Sequence, residues 1–390
     1  MIASIFRELR PEYDRLDEKY PVSPQSRYRF SDGLKSLFAI FQFRRPNLYR
    51  FEIDYFNDTS LRSSIQRLFA ISSVPSDTTI RRVLDRLSPA DLRPFYKTVF
   101  RWAQRQKLLE QFRSPLDGGL LLALDGTQGV SSATIPCSSC LVKQHRPLDP
   151  DDPEEPERFT YYHQTLGAAL VSPTSKTVLP LGPEPIAGRD EHGVQDSELK
   201  AAFRWLPKFR REHLHLQVIL LGDALYSNAP FIQRLTAANL KFMRRVKPAS
   251  RQQETADQAS HGERWVRGVH RPDRSYRRLR AQSLNQKHPD LKVNVVQERT
   301  ASGKRAEWVT NRDVSASQVA AMWQQAVEQG CEHLCLWYQA ALFGLLKKPR
   351  HKLHFWDEQI FILKRFDLWT WEQLYDRSAK PHQAIPVPDT

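Results

Sequence analysis

The chain has 390 residues, of which 40% are hydrophobic, so it is longer than one compact core usually holds and we expect roughly two or three domains. Lys and Arg number 58 against 44 Asp and Glu, a net charge of +14, which favours a polyanionic partner and nucleic acid first. A membrane partner is excluded from this interpretation, because the sequence has neither an apolar run of bilayer length nor a basic amphipathic anchor helix.

The cellular compartment follows from the start of the chain and from its cysteines. Residues Met1 to Glu8 lack the apolar core of a signal peptide. Four cysteines in a chain of this length do not form a disulfide framework. We therefore expect a cytoplasmic protein.

Residues 1–116 are predicted to form an all-α N-terminal domain, because amphipathic segments with helical periodicity recur along them. One segment begins with N-cap residues at 75–77 and continues into a helix whose exposed positions are Arg81, Arg82 and Arg86. These arginines either contact DNA phosphates or form an ordinary solvated face.

Two apolar runs each end in a single carboxylate, Asp125 after Leu121 to Leu124 and Asp223 after Val218 to Gly222. Each run is typical of a buried strand that delivers an Asp to the edge of a sheet. Asp after a strand is also common in ordinary turns. The pair in a basic chain favours Mg²⁺ chemistry, because Mg²⁺ prefers oxygen ligands and substrate phosphates.

Around the two aspartates the pattern predicts elements in the order βββαβαβ, an α/β sheet that begins as a meander. The predicted strands cover 119–125, 161–171, 177–181, 217–223 and 240–246, and the predicted helices cover 195–211 and 228–238. Residues 244–280 are dense in Arg and are predicted to be irregular. Further strands are predicted at 291–296 and 307–311.

This order, with one Asp on the first strand and a second on the fourth, resembles the ribonuclease H-like core of DDE transposases. The similarity covers about 119–246 and includes Tyr162-His163-Gln164 and Gln195-Asp196. Together these motifs are similar to those of transposases from bacterial insertion sequences. The resemblance implies an α/β fold, a ribonuclease H-like mixed sheet with flanking helices preceded by the all-α N-terminal domain. The implied core spans 117–345, with a basic insertion at about 247–290 and an irregular C-terminal tail at 346–390.

The resemblance also implies a function. Such a transposase binds the inverted repeats of an insertion sequence and catalyses metal-dependent strand cleavage and strand transfer. Asp125 and Asp223 become ligands of Mg²⁺ or Mn²⁺, and the expected partners are double-stranded DNA at the transposon ends and target DNA. A homo-oligomer on DNA, in the bacterial cytoplasm at the nucleoid, is expected. Two alternatives are a catalytically inactive, degenerate transposase that only binds DNA, and a metal-dependent nuclease on the same core.

The third acid of this family lies on a late helix in a Tyr, Arg, Glu and Lys pattern that we do not find after Asn311. Glu332 lies near the expected distance and is the candidate third catalytic residue, or else a solvated residue. A changed reading frame in the tail 346–390 is an alternative explanation. In another reading frame, codons for Phe343 to Lys347 can encode Trp-Ala-Ile-Glu, which is similar to the motif that carries the third acid in this family.

Cysteine and histidine form a second constellation. Its members are Cys137, Cys140, His145 and His163. Thiolate and imidazole ligands suit tetrahedral Zn²⁺. Alternatively, the cysteines are small buried residues and His163 lies near the active site.

Basic residues between 241 and 280 are the candidates for contact with the DNA backbone. They are Arg244, Arg245, Lys247, Arg264, Arg267, Arg271, Arg274, Arg277, Arg278 and Arg280. Trp265 and Tyr276 lie among them and either stack on an unpaired base or anchor the packing of an inserted subdomain.

Overall fold

The computed structural model describes residues 2–43, 47–114, 118–134, 136, 139–146, 157–173, 177–186, 188, 194–246, 265–267, 273–316 and 318. Contacts divide the chain into two units, Met1–Ser88 with Ala340–Thr390, and Pro89–Gln339. The helix that follows Ser88, predicted as part of the N-terminal domain, packs in the core of the second unit. Among the described residues, no helix is both long and apolar enough to cross a bilayer.

The described part of the first unit is helical, as predicted. Its helices are α1 (Ile2–Glu8), α2 (Arg10–Lys19), α3 (Phe30–Gln42), α4 (Leu48–Asn57), α5 (Thr59–Phe69) and α6 (Asp77–Arg86). In α5 the buried residues Leu61, Ile65 and Phe69 recur every four positions and form one apolar face. Asp58 caps this helix by accepting the N–H of Leu61 at 2.9 Å.

The second unit is a mixed α/β structure. Its helices are α7 (Pro89–Arg105), α8 (Glu198–Glu212) and α9 (Ala229–Ala237). Its strands are β1 (Leu120–Ser132), β2 (Leu141–Gln144), β3 (Phe159–Val171), β4 (Val178–Pro180), β5 (Glu184–Ile186), β6 (Val218–Gly222), β7 (Lys241–Val246), β8 (Val266–Arg267), β9 (Arg274–Asn285), β10 (His288–Thr300) and β11 (Arg305–Thr310).

The described strands form one sheet in the order β2-β3-β1-β6-β7-β11-β10-β9-β8, with β4 and β5 paired to β3. Strand β6 runs parallel to β1 and to β7, whereas the other pairs are antiparallel. The mixed sheet with flanking helices agrees with the predicted α/β class.

Alternation along the strands separates two apolar layers. Leu120, Leu122 and Leu124 of β1 belong to a core that also contains residues of α7, α8 and α9. Leu121 and Ala123 point to the opposite face and join a second cluster with residues of β6, β7, β10 and β11. The sheet is therefore buried on both sides along β1 and β6.

The prediction of an irregular basic segment is wrong for the described residues 273–280. They form the first part of β9, which pairs with β10. Tyr276 and Leu279 within this stretch are almost fully buried, 4% and 1% exposed. The strand pattern is hard to recognise in the sequence, because arginines occupy many of its positions and its apolar residues are few and widely spaced.

Candidate functional site

Asp125 and Asp223 both follow the point where the parallel pairing of β1 with β6 ends. The last pair of this ladder joins Ala123 to Leu221, and each aspartate is two residues farther along its own chain segment. Neighbouring strands lie about 4.8 Å apart, and residues two apart share a face. The register therefore brings the two predicted metal ligands to one edge and one face of the sheet.

Backbone hydrogen bonds orient both carboxylates. Asp125 Oδ1 accepts the N–H of Gly126 at 3.0 Å. Asp223 Oδ1 accepts the N–H of Leu225 at 2.8 Å and thereby caps a short 3₁₀ turn, Ala224–Tyr226. Asp223 is exposed and Asp125 is half-buried, so both side chains are anchored by the backbone and reachable from solvent.

A third carboxyl group, that of Glu198, reaches β1 at Gly126 and interacts with Asp223. Glu198 is the first residue of α8, whose N-cap Ser197 accepts the N–H of Lys200 at 3.3 Å. Glu198 Oε2 lies 2.0 Å from the point where a Cβ on Gly126 would stand. The carboxylate reaches β1 only because residue 126 has no side chain.

Two side chains hold the Glu198 carboxylate in place. Tyr226 Oη donates to Glu198 Oε1, and Gln164 Nε2 donates to Glu198 Oε2 at 3.3 Å. Burial raises the pKa of Glu198 and the charge of Asp223 adds to the rise, whereas the hydrogen bonds to the carboxylate oppose it. Because Glu198 and Asp223 interact, we treat three residues as one acidic cluster: Asp125, Glu198 and Asp223.

Sequence analysis did not find Glu198. A glutamate in the first turn of a helix usually interacts with the helix dipole. Nothing in the local sequence distinguishes that structural role from a role in a functional site. The available signal was Gly126, directly after Asp125. A glycine inside a strand often marks the close approach of another group to the backbone.

A salt-bridge network fixes the start of α8 against β5. Arg204 Nη2 donates to Asp196 Oδ2 at 2.6 Å, and Arg204 Nε donates to Glu184 Oε1 at 3.3 Å. Lys208 Nζ lies 2.7 Å from Glu184 Oε2. Both acids are almost fully buried, so the network holds the helix that presents Glu198 to β1.

Arg244 is buried behind the acidic cluster. It lies on β7 opposite Gly222 of β6 and is 0% exposed. Burial lowers the pKa of Arg244 to about 9, and interactions with Tyr226 and Asp223 act in the opposite direction. The side chain is therefore charged at neutral pH, and its burial removes it from the predicted set of DNA contacts.

The donor chemistry of the acidic cluster fits a hard divalent cation. Mg²⁺ and similar ions prefer carboxylate oxygens and complete their coordination with water and substrate phosphates. Within the described part of the chain, however, no group of three or more His, Cys, Asp or Glu side chains is arranged so that it could hold a metal ion.

Of the four predicted zinc ligands, the structure brings two together. Cys140 Sγ lies 3.4 Å from His163 Nε2. His145 lies beyond the other end of β2, where its Nε2 pairs with Thr160 Oγ1 at 2.7 Å. Cys137 is outside the described residues. Strand β2 thus separates His145 from the Cys140 and His163 pair, and burial lowers the pKa of His163.

Beyond β7, one face of the sheet carries two rows of polar residues. In the first row, Glu307 lies opposite Gln297, and Gln297 lies opposite Arg277. The guanidinium of Arg277 lies 4.9 Å from the ring centre of Trp265. This row begins at β7, where Val246 pairs with Glu307.

The second row lies two residues farther along the same strands. Arg305 is opposite Arg299, which is opposite Ser275, which is opposite Arg267. Arg299 also lies 4.4 Å from the ring centre of Trp265. We name this surface the basic sheet face, and its residues are Trp265, Arg267, Arg277, Arg299 and Arg305.

A cavity of about 330 Å³ lies at the basic sheet face and is lined by Trp265, three arginines, Gln297, Ala306 and two glutamates, Glu298 and Glu307. Arg299 and Arg305 were not singled out in the sequence. Their positions follow from the pairing of β9, β10 and β11, which places side chains two residues apart on one face. The cavity therefore combines an aromatic ring, three cationic groups and two carboxyl groups.

The other predicted DNA contacts have different surroundings. Arg274 Nη1 pairs with Glu298 at 2.6 Å, and Arg278 Nη1 pairs with Asp313 at 2.5 Å. Arg280 Nε lies 3.6 Å from Asp313. Arg245 is exposed and adjoins Arg244 at the end of β7. The predicted site residues outside the described part of the chain are Lys247, Arg264, Arg271 and Glu332.

The arginines predicted on α6 have partners within the first unit. Arg81 Nη2 lies 3.7 Å from Asp77 Oδ2. Arg86 lies 5.3 Å from the ring centre of Tyr20 and 5.4 Å from that of Phe30. Two of the three predicted arginines thus contribute to packing or local ion pairing, and Arg82 is exposed.

No protein-family model and no curated protein sequence matches the chain. Among solved structures, the chain is similar to a cryo-EM structure of a piggyBac transposase synaptic complex with hairpin DNA. The TM-score is 0.40 and the sequence identity is 14%, and the match covers 99% of this chain and 84% of that chain. It is also similar to the crystal structure of the NurA nuclease from Sulfolobus solfataricus, with a TM-score of 0.26 and 11% identity over 72% of this chain and 98% of that chain. Both TM-scores are below 0.5, and neither similarity carries an argument about function.

Proposed function

We propose that this protein is a metal-dependent DNA strand-processing enzyme of the transposase type. The observation that carries the proposal is that Asp125 and Asp223 each lie two residues beyond the last pair of the parallel β1–β6 ladder, while Glu198 contacts β1 at Gly126 and interacts with Asp223. A cluster of carboxylates at a sheet edge is the ligand set that hard metal ions use in phosphodiester chemistry.

The edge of the sheet supports a DNA substrate at this cluster. The acidic cluster lies at the edge where β6 and β7 end, and the first row of the basic sheet face is paired to Val246 at the end of β7. Arg245, which is exposed, lies between the two. A DNA backbone that follows this edge would meet cationic side chains on one side and the acidic cluster on the other.

Residues of this chain would bind the metal ion and orient the third carboxylate. Asp125 and Asp223 would hold a Mg²⁺ or Mn²⁺ ion, which when bound supplies Lewis-acid stabilisation of charge at the phosphate. Glu198 takes the place that the family resemblance gives to a glutamate on a late helix. Tyr226 and Gln164 keep its carboxylate directed at β1.

The proposed reaction has two steps. In the first, water attacks the phosphorus, the bond from phosphorus to the 3′-oxygen breaks, and the leaving oxygen takes up a proton to give a free 3′-hydroxyl. In the second, this hydroxyl loses its proton and attacks a phosphate of target DNA, the bond from that phosphorus to the target's 3′-oxygen breaks, and the leaving 3′-oxygen takes up a proton. No covalent bond to the protein is needed.

The cationic residues have a separate role in binding. Arg245 and the basic sheet face would contact phosphates, and Trp265 would stack on an unpaired base at the end of the element. The Cys140 and His163 pair is proposed as part of a zinc site only together with Cys137, because His145 lies at the other end of β2.

The test is cleavage of duplex DNA carrying the inverted repeats that flank the gene, with Mg²⁺ or Mn²⁺. Wild type should release 3′-hydroxyl ends and join them to a second duplex. Asp125→Asn, Asp223→Asn and Glu198→Gln should each lose about a hundredfold or more in rate, as expected for groups that act only in the transition state. Asp290→Asn, a matched change at an exposed position of β10, should keep full activity.

Three outcomes separate the alternatives. Cleavage without joining would identify a nuclease on the same core. Salt-sensitive binding without cleavage would identify an inactive DNA-binding relic. Unchanged cleavage by either aspartate variant would refute the site assignment.

A further inference from the structure

Arg244 is a charged side chain that the proposed chemistry does not use. It is fully buried, and none of its three guanidinium nitrogens has a hydrogen-bond partner among the described residues. Such burial is unfavourable, because the charge loses its hydration and gains no hydrogen bond in exchange. Another interaction must compensate.

The compensation comes from the acidic cluster and from two aromatic rings. Arg244 interacts electrostatically with Asp223 and with Tyr226. Its guanidinium lies 5.0 Å from the ring centre of Tyr226 and 5.2 Å from that of Phe231, and the faces of both rings attract a cation. Tyr226 in turn donates a hydrogen bond to Glu198. Arg244 is thus an internal cation behind the acidic cluster.

A glycine allows this approach. A Cβ on Gly222 would stand 1.9 Å from Arg244 Nη1. Gly222 is the last residue of β6 and immediately precedes Asp223. The missing side chain therefore lets the guanidinium lie directly against the backbone that carries Asp223.

We propose that Arg244 is a positioning residue that makes divalent-cation binding at the acidic cluster depend on a DNA phosphate. This inference rests on the function proposed above. The fixed positive charge offsets part of the negative charge of Asp223, so the acidic cluster attracts a cation weakly without DNA. A DNA phosphate at the cluster restores the missing negative charge.

Cation and DNA then bind cooperatively. Mg²⁺ in proteins is commonly held by one or two carboxylates together with substrate phosphates. By thermodynamic linkage, a phosphate that strengthens cation binding is itself bound more tightly by the same factor when the cation is present. The enzyme therefore assembles its metal site on the substrate and not in free solution.

The experiment measures Mn²⁺ binding to the full chain by electron paramagnetic resonance of the free ion, with and without a pre-cleaved duplex ending in the inverted repeat. Wild type should bind Mn²⁺ about tenfold more tightly with the duplex, an ordinary size for coupling between ligands. Arg244→Met removes the charge and keeps an elongated side chain. It should bind Mn²⁺ without DNA about tenfold more tightly than wild type, because the repulsion is gone.

Arg244→Lys is the matched control, because it keeps the charge and should bind Mn²⁺ as weakly as wild type in the absence of DNA. Equal affinities of wild type and folded Arg244→Met would overturn the proposal, since that result is expected if Arg244 only fills space. If Arg244→Met does not fold, wild type alone decides, and an affinity independent of the duplex would overturn the proposal.

Asp223→Asn distinguishes this inference from the proposed function, and it also corrects for Mn²⁺ bound by DNA alone. If Asp223→Asn binds Mn²⁺ as tightly as wild type, there is no cation site at the acidic cluster and the proposed function fails. If Asp223→Asn weakens binding and Arg244→Met leaves it unchanged, the proposed function stands and only the role of Arg244 is refuted.

Discussion

Glu198 Oε2 occupies the space that a Cβ on Gly126 would need, at a distance of 2.0 Å. This contact joins the first turn of α8 to the strand that carries Asp125. It connects two parts of the second unit through a carboxylate and a backbone, where helices and strands usually meet through apolar side chains. The position of a candidate catalytic acid therefore depends on the absence of a side chain at residue 126.

Gly126→Ala should displace Glu198 and leave the fold intact, because the clashing atoms are at the end of a flexible side chain. Losing its hydrogen bonds from Tyr226 and Gln164 should lower the free energy of unfolding by about 1–3 kcal/mol. Chemical denaturation measures this. In a Glu198→Ala background the added Cβ should cost less stability than in wild type, because only Gln164 Nε2, 2.6 Å from that position, still has to move. Additive effects of the two changes would contradict the contact.

Gly222→Ala should be more damaging than Gly126→Ala. Its Cβ would stand 1.9 Å from Arg244 Nη1 and 3.0 Å from the ring of Tyr226. Both of these side chains are 0% exposed, so neither can move into solvent. Overpacking of this kind should lower the free energy of unfolding by about 2–3 kcal/mol. A denaturation midpoint equal to that of wild type would show that the guanidinium does not lie against β6.

His213 should make the protein less stable in mild acid. It is buried between Phe100 and Phe209, with ring centres 4.4 and 5.2 Å away, and burial lowers the pKa of His213 to about 4. Between pH 6.5 and 4 the unfolded chain binds a proton that the folded protein does not, so stability falls as pH decreases through this window. The loss should reach at most about 3 kcal/mol.

His213→Phe should flatten this pH dependence, because phenylalanine keeps the aromatic packing and has no titrating group. Unfolding free energies measured from pH 7 to 4 test the effect. His215→Phe, a change at an exposed neighbour, should leave the pH dependence as in wild type. An unchanged slope for His213→Phe would assign the acid sensitivity to other groups.

Arg299 and Arg305 should contribute to DNA binding through phosphates. Each phosphate contact contributes about 0.9 to the slope of log K against log salt, so their double alanine variant should lower that slope by about 1.8. Fluorescence anisotropy with a labelled duplex at several salt concentrations measures it. The control is Arg278→Ala with Arg280→Ala, which removes the same charge from residues paired near Asp313. Equal slopes for the two double variants would argue against the basic sheet face.

Much of the second unit could be predicted because its signals are local. The apolar runs before Asp125 and Asp223 predicted β1 and β6, and the parallel pairing of those strands ends two residues before each aspartate. The helices predicted at 195–211 and 228–238 agree closely with α8 and α9. Patterns of two and of three to four residues carry this information directly.

The features that were missed depend on contacts between distant segments. The residues around Glu198 do not predict its contact with Gly126, because that contact depends on how α8 packs. Arg277 was among the predicted DNA contacts and Arg299 was not, and only the β9 and β10 register places them on one face. Arg244 looked like a surface cation, because local sequence does not reveal that β7 lies inside the sheet.

The acidic cluster also has a genetic consequence. Its three members are encoded between codons 125 and 223, well upstream of the tail 346–390 in which a changed reading frame is one hypothesis. A frameshift in that tail would therefore leave every member of the cluster translated, together with the strands and the helix that align them. Natural alleles that differ only downstream of this point should retain the same three acids.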